Sequence, residues 1–68
     1  MKHINDLVFT SVQDAKSTLE CTLIRDPQQA LADAEAVLTA MVAFQYDQPS
    51  RRTMLKSIIS KARKRLTK

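Results

Sequence analysis

The chain has 68 residues, no glycine, one cysteine, one histidine and a formal net charge of +4. A single Cys and a single His can form neither a disulfide nor a four-coordinate zinc site, and the length holds no more than one small domain of marginal stability. Without glycine the φ > 0 positions of tight hairpins have no default residue, so an all-α fold is expected: a helical hairpin or three-helix bundle, dimeric because association is the remaining staple for so small a core.

The first predicted helix covers about residues 3–24. Ile4, Val8, Val12, Ala15, Leu19 and Leu23 recur at three- and four-residue steps and make one apolar stripe, with Leu7 and Phe9 on its two edges. Ser11, Ser17, Thr18 and Thr22 lower its intrinsic propensity, so packing has to hold it. Cys21 lies within it and reads as a small core residue.

The second covers about residues 27–46. Asp26-Pro27-Gln28-Gln29 reads as N-cap, N1, N2 and N3, with Gln29 able to reach back in the manner of a capping box. Ala30, Leu31, Ala34, Val37, Leu38, Met41 and Phe44 form its main face. The opposite side carries a row of small residues, and a helix apolar nearly all round is buried on more than one side. Ala36, Ala40, Val42, Ala43 and Tyr46 are therefore the expected self-association surface of a homodimer.

The third covers about residues 50–66, after a second proline corner whose cap is Asp47, Gln48 or Ser50. Met54, Leu55, Ile58, Ile59, Ala62 and Leu66 form its stripe. Here the charge divides. Residues 1–50 hold all seven acids and three bases, for −4; residues 51–68 hold eight bases and no acid, for +8. A basic helix on an acidic body meets a polyanion, an acidic partner or its own acidic surface. Cations at a helix C-terminus suit the macrodipole, whereas Arg51 and Arg52 sit at the N-terminus, where it disfavours them. They need another reason to be there: a partner contact or an internal ion pair. The expected partner-binding set is Arg51, Arg52, Lys56, Lys61, Arg63 and Lys64.

No catalytic constellation stands out. His3 is the sole imidazole and sits at the chain's start, Asp33 and Glu35 diverge around a helix, and no glycine-rich phosphate loop exists, so no enzyme activity and no cofactor are expected. No stretch reaches the roughly 20 apolar residues of a membrane span, the N-terminus lacks a signal-peptide core, and a lone thiol suits the cytoplasm. The expected function is a non-enzymatic regulator or adaptor of the anti-activator, inhibitor or co-chaperone type, binding a larger protein with an acidic surface. The alternative is a small DNA-binding regulator that contacts phosphates through the basic helix, although no aromatic residue interleaves with its cations.

Overall fold

The computed structural model describes residues 2–46 and 48–67, with side chains from Ile4 onward. The fold is all-α, but with four helices rather than three: α1 (Lys2–Phe9), α2 (Val12–Arg25), α3 (Pro27–Ala43) and α4 (Pro49–Thr67). The expected first helix is two. It breaks at Thr10 and Ser11, where Ser11 turns extended (φ −62°, ψ 153°) and its Oγ accepts the Asp14 N–H at 3.1 Å. Ser11-Val12-Gln13-Asp14 is a cap sequence inside a continuous apolar stripe, and the cap prevails because β-branched Val8, Thr10 and Val12 weaken the helix around it.

One residue serves both α2 and α3. Asp26 donates its N–H to Thr22 O at 2.6 Å, ending α2, and its Oδ1 accepts the Gln29 N–H at 3.3 Å, starting α3 ahead of Pro27. The Gln29 side chain does not reach back to Asp26. Its Nε2 donates forward to Asp33 Oδ1 at 2.8 Å, on a carboxylate that is itself buried.

Helix α3 ends at Ala43, earlier than the pattern predicts, in a Schellman turn. Tyr46 N–H donates to Met41 O at 2.9 Å and Gln45 N–H to Val42 O at 3.1 Å. The turn requires a left-handed residue, and in a chain without glycine Gln45 supplies it at φ 56°. Helix α4 then begins at Pro49, so Gln48 holds the N-cap position and Ser50 lies within the helix; Asp47, the third candidate, lies outside the described residues.

The core joins all four helices: Leu7 and Val8 from α1, Ala15 and Leu19 from α2, Ala34, Val37 and Met41 from α3, and Met54, Leu55 and Ile58 from α4. A smaller cluster of Leu23, Ala30 and Ala62 extends it along α2, α3 and α4. Helix α3 packs against each of the other three, which accounts for its apolar circumference within a single chain. The extra helix created by the break at Ser11 is one of those three covers.

The largest fully buried side chain is not aliphatic but Arg51, 1% exposed. Its Nη1 donates to Leu7 O at 2.6 Å, its Nη2 to Thr10 O, and its Nε to Gln48 Oε1 at 2.9 Å; the guanidinium carbon lies 5.9 Å from the Tyr46 ring centroid. The sequence leaves Arg51 as a surface contact or half of an ion pair. The structure turns it inward, onto backbone carbonyls. Its place at the N-terminus of α4, where its own helix disfavours a cation, is also the C-terminus of α1, where the carbonyls favour one.

Lysine keeps the charge but cannot present three donors in a fork. Arg51→Lys is therefore expected to lose about 2 kcal/mol of stability, read as a fall of roughly 10 °C in Tm for a domain of this size. An unchanged melt would remove Arg51 from the frame. Gln45→Gly is expected to gain about 0.5–1 kcal/mol in the same measurement, because glycine enters the left-handed region without a Cβ clash; a loss would contradict the Schellman geometry.

Candidate functional site

Helix α4 presents its cations unevenly. With 100° per residue, Arg52, Lys56 and Arg63 fall within an arc of about 40°, and Lys64 lies about 80° beyond it. All four are exposed, on the side away from the buried Met54 and Ile58. Lys61 points to the other flank and pairs with Glu20 of α2, Nζ to Oε2 at 3.6 Å. Arg63 pairs with Glu35 of α3, Nη2 to Oε2 at 3.6 Å. The basic helix thus meets part of its own acidic body. Both pairs are solvent-exposed and of the kind worth no more than about 1 kcal/mol each. Among the described residues, Lys56 and Lys64 are in no ion pair.

The Glu35–Arg63 contact at one end, and Leu38, Val42 and Tyr46 beside Arg52 at the other, show that α3 and α4 run antiparallel. Between them is a shallow groove lined by Leu38, Met41, Val42, Gln45, Tyr46 and Arg52. A second depression lies on the outer face of α4 alone, among Lys56, Ile59, Ser60, Arg63, Lys64 and Thr67. Arg52 and Lys56, one helical turn apart, are the nearest members of the two. Among the described residues no carboxylate lines either one.

At the apolar end the rings of Phe9, Phe44 and Tyr46 meet, with centroids 5.6 Å apart for Phe9–Phe44 and 5.5 Å for Phe9–Tyr46. Phe9 stays 59% exposed, Phe44 50% and Val42 78%. The periodicity of α3 puts Phe44 on the buried face. It is exposed because the helix stops one residue before it.

The predicted partner-binding residues therefore separate. Arg52, Lys56 and Arg63 share one side, Lys64 lies between that side and the flank of Lys61, and Arg51 is inside. The predicted self-association row separates too. Ala36, Ala40 and Tyr46 are half-buried, with Ala40 and Tyr46 packed on the core, while Val42 and Ala43 are exposed. Sequence reasoning missed the meeting of Phe9 with Phe44, since nothing in the pattern brings α1 to the end of α3. It also missed the groove beside Leu38 and the depression beside Ile59, residues that the stripes assign wholly to the core.

Among the described residues no three His, Cys, Asp or Glu side chains converge as a metal site, and no helix is long and apolar enough to cross a membrane. Cys21 is exposed on α2 rather than in the core. The chain matches no protein-family model, no curated protein and no solved structure.

Proposed function

We propose that this chain is a non-enzymatic adaptor or regulator that binds a larger protein through the α3–α4 surface. One observation carries the reading: the apolar stretch at Leu38, Val42 and Tyr46 runs into the cationic stretch at Lys56, Arg63 and Lys64 through Arg52. Apolar contact supplies affinity, and the adjacent charge steers an acidic partner and sets its register. Phosphate binding through α4 alone would leave exposed Val42 without a role, which favours a protein over a nucleic acid. Self-association belongs to this reading only through the exposed members of the alanine row, Val42 and Ala43. Light scattering that finds a monomer at high micromolar concentration removes the homodimer and leaves the adaptor intact.

The adaptor is tested by capture from nuclease-treated host lysate with the full chain as bait. A stoichiometric protein is expected, cross-linked to α3 and α4, and lost in the Lys56→Glu/Lys64→Glu double variant but kept in Lys16→Glu on α2. If every partner disappears after nuclease treatment, the surface belongs to nucleic acid and the adaptor reading fails.

A further inference from the structure

We infer that the bend at Thr10 and Ser11 is a hinge with a second, straight setting, and that in this setting α1 is exchanged with a second copy of the chain. Leu7 O and Thr10 O accept the Arg51 guanidinium, and the Asp14 N–H is taken by Ser11 Oγ at 3.1 Å. In an unbroken α-helix each carbonyl receives the N–H four residues further on. Leu7 O would then pair with the Ser11 N–H, and Thr10 O with the Asp14 N–H. Groups that hold the bend are therefore groups that a straight helix pairs with one another. The helical ladder also reaches the bend from both sides, because Thr10 N–H donates to Asp6 O at 2.8 Å and Ala15 N–H to Ser11 O at 3.0 Å.

The side chains suit either setting. Ile4, Val8, Val12, Ala15, Leu19 and Leu23 keep one apolar stripe through the bend. Straightening carries α1 off its own bundle on a single helix spanning Lys2–Arg25, about 36 Å long. Leu7 and Val8, buried in the bent chain, come out, and the α3 face against which α1 packs is uncovered. A lone chain does not sustain such apolar exposure in water. What fits the vacated place contact for contact is α1 itself, and a released α1 needs that same place. A second straight copy meets both needs at once, so two chains exchange first helices about a two-fold axis. The apolar contacts of the bundle are kept, and the balance is decided at the hinge.

Two groups weight the hinge toward the bend: the Arg51 guanidinium, and the Ser11 hydroxyl that caps α2. β-branched Val8, Thr10 and Val12 act in the same direction. Ser11 is exposed, so its hydroxyl can be removed without disturbing the core. Neither Val42 nor the cations on the outer face of α4 take part, and the exchange does not rest on the adaptor reading.

The experiment refolds the full chain and its variants from denaturant at concentrations up to about 1 mM and follows sedimentation equilibrium. Ser11→Ala removes the cap and places the strongest helix former at the hinge. It is expected to dimerise with a dissociation constant lower than wild type by about thirtyfold, about fivefold for each of two hinges. Val12→Pro added to Ser11→Ala is expected to restore the monomer. Val12 opens α2 after an extended residue (ψ 153°), a place that proline accepts in the bend but not inside a straight helix. Isotope-filtered NOEs on mixed labelled and unlabelled Ser11→Ala chains then locate the exchanged helix. The ring of Phe9 lies 5.6 Å from that of Phe44 and 5.5 Å from that of Tyr46, and in the dimer these contacts are expected between chains.

A folded Ser11→Ala chain that stays monomeric overturns the proposal. So does a dimer that survives Val12→Pro, or one whose Phe9–Tyr46 contact remains within a single chain. A dimer abolished by Val42→Glu returns self-association to the Val42–Ala43 surface and also overturns the exchange. Should circular dichroism find Ser11→Ala unfolded, Thr10→Ala decides, since it keeps the cap and raises helix propensity at the hinge. It is expected to lower the dissociation constant by about fivefold, and a chain no more dimeric than wild type at the highest concentration overturns the hinge.

Discussion

Everything in this bundle depends on a guanidinium group at the end of a two-turn helix. Helix α1 is too short to hold itself in water, and its last carbonyls have no partner within the helix. Arg51 answers both needs by donating to Leu7 O and Thr10 O from α4. A buried cation is costly unless its donors are satisfied. Here Gln48 takes the remaining Nε donor and Tyr46 covers the charge with its ring. The same side chain therefore fixes α1, orders the α3–α4 connection and aligns the aromatic end of the molecule.

Once α1 is held, the arrangement of α3 follows. Three neighbours cover most of its circumference, and the flank left open faces solvent beside α4. On the α4 side that flank is bordered by Arg52, and Gln45 and Tyr46 line it beyond the end of α3. The polarity of this surface is thus set by two stretches of sequence that are distant along the chain, each amphipathic for its own reasons.

The fold class was legible in the sequence because its signals were local. Glycine-free composition, a proline at N1 of α3 and clean stripes in α3 and α4 each reflect one helix at a time, and Ala30, Ala34, Val37, Met54, Leu55 and Ile58 are buried as their spacing requires. The break at Ser11 was also written there, as Ser11 and Asp14, but the apolar period carried through it and masked it. Because α1 turns at that break, its Val8 and the α2 residues Ala15 and Leu19 still reach one core. What could not be read was anything requiring two distant segments. The fate of Arg51 depends on the position of the α1 carbonyls, and adjacent Arg52 looks identical in sequence while facing the other way. Of the candidate site, the cations of α4 were visible as residues, but their division between Glu20, Glu35 and the open groove was not.

The contacts of Arg51 span 44 residues to Leu7 and 41 to Thr10, and this separation has a kinetic meaning. The hairpin-like neighbours α2–α3 and α3–α4 close short loops, whereas α1 is fastened across most of the chain. On a ribosome α1 cannot receive its clamp until the start of α4 has followed it out. Leu7 and Val8 travel through that interval without the contact that seals them in the finished bundle.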